Sequence, residues 1–196
     1  RVPQPFIVMA TQNPIETEGT YPLPEAQVDR FMMKVLVGYP NEDEEYAIVQ
    51  RVTGPAQAVG AIATTEQLMH LQAQCRQGYV DPALVRFAVR LVSATRQPAL
   101  YGLPDVARHI TFGASPRATI GLIEGARALA LLRGRTYALP QDVVDLVPDV
   151  LRHRLVLSFE ALSEGLTPDL VIQQILHAVP VPDKPLDTHV QISTPA

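Results

Sequence analysis

Four prolines stand at predicted helix starts in the later part of the chain, at positions 82, 116, 140 and 168. Proline suits the first turn of a helix because its fixed φ matches the helix and its missing N–H would have no intrahelical partner there. Asp81 and Ser115 come directly before two of these prolines and are favourable capping residues. The helices predicted from these starts are 82–97, 116–134, 140–155 and 168–178.

Apolar side chains recur at helical spacing in these stretches, which predicts that each helix packs one face against a core. A further helix is predicted from Thr65 to about Gly78, and Pro148 is expected to kink or divide the helix that begins at Pro140. With 196 residues, 47% of them hydrophobic, the chain can bury a sizeable core. The residues expected on the apolar faces of two helices are Leu84, Phe87, Ala88, Leu91, Val92, Ala118, Leu122, Ala126, Leu129 and Ala130.

The first quarter of the chain alternates short apolar runs with helix signals. Residues 6–10 form a continuous apolar run, as expected for a buried strand of a parallel sheet, and a second such strand is predicted over 31–37. A short helix is predicted between them at 25–31. Asn41, with Glu44 three residues later, predicts a capping box at the start of the next helix. This order predicts the edge of an α/β domain whose other strands lie upstream.

A connector rich in alanine and glycine separates the two kinds of pattern. The sequence therefore predicts an α/β segment over 1–55, a linker over 56–64 and a helical domain over 65–180. Residues 181–196 are rich in proline and polar residues, which predicts a loose tail.

Composition excludes several classes of function. The formal charge of −4 argues against a general nucleic-acid surface, because phosphate binding requires clustered cations. Cys75 is the only cysteine and the five histidines lack metal-ligand spacing, so neither a disulfide nor a metal site is predicted. No apolar run approaches the roughly 18 residues that a membrane span requires. A cytoplasmic location is expected by default.

Two motifs of nucleotide hydrolysis are missing from the sequence. A phosphate-binding loop requires Gly-x-x-x-x-Gly-Lys-Ser/Thr, but the only lysines, Lys34 and Lys184, do not follow a glycine. No apolar strand ends in the Asp-Glu pair that would hold magnesium. The chain also opens at Arg1 rather than at methionine, which suggests a piece of a longer protein. We therefore expect that this polypeptide does not hydrolyse nucleotide by itself.

Three segments carry a resemblance to a known family. They are Thr11–Pro14 (TQNP), Gly19–Phe31 (GTYPLPEAQVDRF) and Gly113–Ala118 (GASPRA). Together they resemble the MoxR family of AAA+ ATPases, and the resemblance runs from about Pro5 to about Pro182. It implies an α/β edge of an AAA+ core followed by an all-α lid domain, so a mostly helical chain.

The resemblance also implies roles for individual residues. Asn13 corresponds to sensor 1, which helps to position the attacking water against the terminal phosphate. Arg30 corresponds to the arginine finger, which projects into the neighbouring subunit's site, and Asp29 is a candidate to orient it. Arg117 corresponds to sensor 2, a lid arginine that contacts nucleotide and that related ATPases supply in trans in some cases.

The residues alone leave other interpretations open. An asparagine after a strand is often only a turn former, and an arginine at a helix end suits the helix dipole. Arg117 is the second residue of its predicted helix, where a cation opposes the dipole, and this favours a nearby anion or a surface salt bridge. The basic triplet, defined as Arg152, His153 and Arg154, is expected to pair with local acids or to cap carbonyls.

For the complete protein, the resemblance implies ATP with magnesium bound between adjacent subunits of a ring, expected to be a hexamer. It further implies chaperone-like remodelling of clients, often with partners that carry a von Willebrand factor A domain. Two alternatives without nucleotide remain: a helical interaction or adaptor module, and a helix-turn-helix regulator. The acidic balance and the lack of a basic recognition helix count against the regulator.

Overall fold

The computed structural model describes residues 2–12, 23–56 and 58–182. These residues are mostly helical. The helices are α1 Glu25–Val28, α2 Glu42–Thr53, α3 Thr65–Gln77, α4 Pro82–Arg96, α5 Pro104–Ala107, α6 Pro116–Leu132, α7 Pro140–Leu151, α8 Phe159–Ser163 and α9 Pro168–Ala178, with a 3₁₀ turn at Pro98–Tyr101. The strands are β1 Ile110–Phe112 and β2 Val156–Leu157.

Helix starts follow the local signals in the sequence. The predicted capping box is confirmed: the Glu44 N–H donates to the Asn41 side chain and the Asn41 N–H to the Glu44 side chain, both at 2.9 Å. Asp81 caps α4 by accepting from the Ala83 N–H at 2.6 Å. Pro148 lies inside α7 without dividing it, and α7 ends at Leu151, where a turn replaces the predicted continuation to 155.

The core lies among α4, α6, α7 and α9, whose apolar faces meet as predicted. Burying these side chains supplies the main stabilisation of the helical domain, at about 25 cal/mol per Å² of apolar surface. The largest fully buried side chains are Leu84, Leu91, Val92, Leu122, Val143, Val147, Val150, Leu151, Val171, Ile172, Ile175 and Val179.

A small antiparallel sheet of β1 and β2 accompanies these helices and was not predicted. It leads into the turn before α6. There, Thr95 accepts a hydrogen bond from the Ala114 N–H at 2.9 Å through its hydroxyl, which itself donates to the Val92 carbonyl at 2.7 Å. Gly113 lies so close to α4 that a Cβ would come within 2.4 Å of the Thr95 carbonyl oxygen. Only glycine fits this approach, which fixes where α6 begins.

The two strands predicted in the first quarter are wrong for the described chain. Residues 6–10 and 31–37 belong to no strand ladder among the described residues, and their side chains are largely exposed, as Ile7 (81%) and Val37 (92%) show. A strand needs a hydrogen-bonded neighbour, and the part of the chain that the structure describes places none beside them. Among the same residues, no helix is both long and apolar enough to cross a bilayer.

Candidate functional site

Asp29 connects the N-terminal part of the chain to two distant parts of the helical domain. It lies in the turn after α1, and its carboxylate accepts hydrogen bonds from the Ser115 hydroxyl at 2.9 and 3.0 Å. The Arg117 guanidinium donates to the same carboxylate at 2.9 Å, and the Arg154 Nε donates at 3.0 Å. Ser115 also accepts from the Arg117 N–H at 3.2 Å, so one residue both caps α6 and binds Asp29.

The charge on Asp29 is stabilised by these partners. Burial alone would raise the pKa of the Asp29 carboxyl, but hydrogen bonds from Arg117, Ser115 and Arg154 outweigh it and hold the pKa below its usual value. Asp29 is therefore ionised near neutral pH. It acts as a common acceptor for two arginines that lie 37 positions apart in the sequence.

Arg154 is the most enclosed cation of this cluster, with 2% of its side chain exposed. Besides Asp29, its guanidinium donates to the backbone carbonyls of Phe31 at 2.6 Å and Met32 at 3.1 Å. It also donates to the carbonyl of Asp29 itself at 3.1 Å and to that of Val150 in α7. Burial lowers the pKa of this guanidinium, and Asp29 partly offsets that effect.

The other two members of the basic triplet hold the same segment. The Arg152 guanidinium donates to the Lys34 carbonyl at 2.6 Å and to the carboxylates of Asp149 and Asp169. His153 contacts the Phe31 carbonyl through Nε2 at 3.0 Å. The expected pairing with local acids holds for Arg152, whereas Asp29, the acid that Arg154 binds, lies 125 positions away in the sequence. We call residues 29–34 the clamped segment.

Arg30 lies inside the clamped segment but is not held by it. Its side chain is exposed, and within the described ranges it forms neither a salt bridge nor a side-chain hydrogen bond. Both neighbours of Arg30, Asp29 and Phe31, have hydrogen bonds to Arg154. The backbone around Arg30 is therefore fixed, while its exposed side chain has no polar partner among the described residues.

The predicted site residues meet only in part. Arg117 binds the carboxylate of Asp29, the residue directly before Arg30, whereas the Arg30 side chain has no polar contact with this cluster among the described residues and Asn13 lies outside them. The salt bridge that sequence reasoning left open for Arg117 is formed, and its partner is Asp29. Sequence reasoning missed Arg154 as a member of this cluster. Its place in the basic triplet was the available signal, but the backbone carbonyls that it binds have no sequence signature.

A second group of polar side chains lies away from this cluster. His109 is buried, its Nε2 lies 3.3 Å from a Glu164 carboxylate oxygen, and Glu160 completes a set of possible metal ligands. Arg108 lies 3.8 Å from Glu160 and already balances part of the negative charge. We therefore assign this group to ion pairing.

Two family models match the chain. The model of the AAA lid domain matches residues 104–175, which include Arg117 and Arg154. The model described as the ATPase family associated with various cellular activities (AAA) matches residues 1–33, which include Asn13 and Arg30. The candidate site is thus formed from residues of both matched regions.

Relatives match over nearly the whole chain. Chaperone MoxR1 of Mycobacterium tuberculosis is 51% identical over 92% of this chain and 48% of its own length. YeaC of Bacillus subtilis, described as uncharacterised, is 40% identical over 91% of this chain and 53% of its own length. Protein MoxR of Paracoccus denitrificans is 36% identical over 89% of this chain and 56% of its own length.

A solved structure agrees with the fold. The crystal structure of a protein from Cytophaga hutchinsonii, described as a candidate ATPase, superposes with a TM-score of 0.88 at 40% identity, covering 92% of this chain and 56% of that one. The chain spans about half the length of the curated relatives it matches. From these matches and from the GASPRA and VDRF segments that form the Asp29 cluster, the chain belongs to the MoxR family of AAA+ ATPases.

Proposed function

We propose that the complete protein is an ATPase that binds ATP and magnesium between subunits of a ring, expected to be a hexamer, and remodels client proteins as a chaperone. This chain alone would lack hydrolytic activity. The observation that carries the proposal is Arg30: its guanidinium is exposed and unpaired within the described ranges, on a backbone that Arg154 holds from both sides. Phosphoryl transfer depends mainly on placement and charge stabilisation, and this is how a cation would be prepared for that role.

The position of Arg117 supports a shared target for the two arginines. Arg117 binds Asp29, the residue directly before Arg30, which ties the two arginines to neighbouring positions of the chain. If Arg30 reaches a nucleotide held by the neighbouring subunit, then Arg117 is placed to reach the same nucleotide. Its salt bridge to Asp29 is 58% exposed on the arginine side, so exchange for a phosphate is sterically accessible. A cytoplasmic location and partners with von Willebrand factor A domains remain part of the proposal through the family resemblance.

The first test is turnover of the full-length protein with Arg30→Ala. We expect the rate of ATP hydrolysis to fall about 10³-fold or more, because an arginine finger contributes in this range, while nucleotide affinity changes little. Arg90→Ala, which removes an exposed arginine of α4, is the matched control and should keep wild-type turnover. Preserved turnover in Arg30→Ala would refute the finger assignment, whereas a full-length protein without ATP hydrolysis would favour the helical interaction module.

A second test asks which subunit supplies each residue. Asn13→Ala and Arg30→Ala proteins, each impaired alone, should regain activity when mixed, because some interfaces then combine an intact Asn13 with an intact Arg30 from the neighbour. Mixing Arg30→Ala with Arg117→Ala should not restore activity if both arginines act on the neighbour's nucleotide, since every donor subunit then lacks one of them. Recovery in that second mixture would place Arg117 in cis.

A further inference from the structure

We propose that Arg154 is the positioning residue for Arg30, acting through the backbone on both sides of it. This inference rests on the proposed function of Arg30 as a finger. Arg154 touches no reacting group itself. It accounts for why an exposed side chain, unpaired among the described residues, extends from a backbone that is held in one conformation.

The contacts of Arg154 use its full donor capacity. A guanidinium has five N–H donors in a fixed planar fork. The five acceptors around Arg154 are the Asp29 carboxylate, the carbonyls of Asp29, Phe31 and Met32, and the Val150 carbonyl of α7. Three of these are backbone carbonyls within two residues of Arg30, on both its N-terminal and its C-terminal side.

The cost of this arrangement indicates a specific role. Enclosing a guanidinium with 2% of its side chain exposed is unfavourable unless each donor is satisfied, and here each one is. A lysine could not replace it, because an ammonium is a compact charge with three donors and cannot span four separate carbonyls. If the segment needed only anchoring, the apolar contacts of Met33 with the core and the Lys34–Asp149 backbone hydrogen bond at 2.8 Å would already supply it.

Arg154 also joins the two arginines of the candidate site. Its Nε and the Arg117 guanidinium bind the same carboxylate, and its Nη1 binds the end of α7. The direction in which Arg30 leaves the backbone is thus set by the helical domain that carries Arg117. Loss of Arg154 would leave Arg30 chemically intact but unaligned.

The test is a double-mutant cycle in the full-length protein, with Arg154→Met, Arg30→Ala and the double variant. Misplacement of a reacting group by about 1 Å costs on the order of 100-fold, so we expect Arg154→Met to lower single-turnover ATP hydrolysis 10- to 100-fold with nucleotide affinity unchanged. In the Arg30→Ala background the same substitution should cause no further loss, because the residue it positions is gone. Melting temperature is measured for every variant, to separate alignment from unfolding.

Arg152→Met is the matched control. Arg152 belongs to the same triplet, has 11% of its side chain exposed, and forms no hydrogen bond with the described residues 29–32. We expect it to lower the melting temperature while keeping turnover within about threefold of wild type. If Arg154→Met does not fold, Arg154→Lys keeps the charge and should still lower turnover only where Arg30 is present.

Several outcomes overturn the proposal. Wild-type turnover in a folded Arg154 variant would do so, as would an equal further loss in the Arg30→Ala background or a matching loss in Arg152→Met. Unchanged turnover in Arg30→Ala alone would instead refute the proposed function, and this inference with it. The two failures are therefore distinguishable.

Discussion

At the residue scale, Asp142 is a buried polar residue of the helical domain whose carboxylate is well supplied with hydrogen-bond donors. Its carboxylate is fully buried and accepts from Arg133 at 2.7 Å, from Arg135 at 2.6 and 2.8 Å, and from the Leu139 N–H at 2.7 Å. Burial alone would raise the pKa of Asp142, but these donors outweigh it and hold the pKa below its usual value. The carboxylate therefore fastens the loop before α7 to that helix.

Removing this carboxylate should be costly. We expect Asp142→Ala to lower the free energy of unfolding by about 3 kcal/mol or more, because two arginines and a backbone N–H lose a buried acceptor. Urea denaturation monitored by circular dichroism measures this loss. Asp145→Ala is the control: Asp145 also binds Arg133 but is 31% exposed, and its loss should cost much less. Equal losses in the two variants would contradict this assignment.

His153 makes stability depend on pH. Its Nε2–H donates to the Phe31 carbonyl, whereas Nδ1 is buried without a partner in the described part of the chain. Burial lowers the pKa of His153 below the unfolded value of about 6.5, and the hydrogen bond to Phe31 only partly offsets this. The unfolded chain therefore binds more protons as pH falls, so the stability from neutral His153 is present above about pH 6.5 and declines below it.

The pH dependence can be measured by denaturation between pH 5 and about pH 7.5. We expect the free energy of unfolding to fall toward pH 5, and His153→Gln to flatten this fall. An unchanged slope in His153→Gln would show that another group is responsible.

At the scale of elements, the turn between β1 and α6 decides where Ser115 and Arg117 lie. We expect Gly113→Ala to destabilise the domain by about 1–3 kcal/mol, because its Cβ would come within 2.4 Å of backbone that cannot move away cheaply. Gly121→Ala in α6 is the contrasting change, since its nearest atom would be 3.5 Å away and alanine favours a helix. Thermal melts should show a loss only for Gly113→Ala, and equal behaviour would refute the close approach.

Elements with local signals could be predicted from the sequence, and those that depend on distant partners could not. α9 runs from Pro168 to Ala178 as predicted, because its proline and its apolar spacing are contained within the helix. β1 and β2 were missed because each is at most three residues long and is defined by its pairing. The strand predicted over 31–37 has the right composition but lacks a neighbouring strand in the described part of the chain.

The same distinction applies to the candidate site. Arg30 and Arg117 could be singled out because each lies in a short segment that resembles a known family. Asp29, which binds Arg117 and Arg154, could be suspected only as a neighbour of Arg30. Arg154 reaches it from 125 positions away, and no local pattern reports a contact with backbone carbonyls at that distance.

At the scale of the whole molecule, the clamped segment is where the N-terminal part contacts the helical domain through hydrogen bonds of the basic triplet. Lys34 is held through both its N–H, which donates to Asp149, and its carbonyl, which accepts from Arg152. The N–H groups of residues 35–37 have no backbone partner within the described ranges. Protection of backbone amides from hydrogen exchange should therefore end at Lys34.

Native-state hydrogen exchange tests this boundary. We expect slow exchange at the Lys34 amide and fast exchange at 35–37, because exchange requires the hydrogen bond to open. Arg152→Met should speed exchange at Lys34 while the core amide of Leu91 in α4 stays protected. Fast exchange at Lys34 in the wild-type protein would show that the segment is not clamped in solution.

The basic triplet follows directly on the end of α7 and forms hydrogen bonds with the backbone of the clamped segment, which contains Arg30. If the helical domain rotates during ATP hydrolysis, Arg30 must move with it, because the preceding residue, Asp29, is hydrogen-bonded to Ser115, Arg117 and Arg154 of that domain. In the ring proposed above, motion of the helical domain in one subunit would then move Arg30 toward or away from the nucleotide of the neighbouring subunit. This coupling would set the order in which neighbouring subunits hydrolyse ATP.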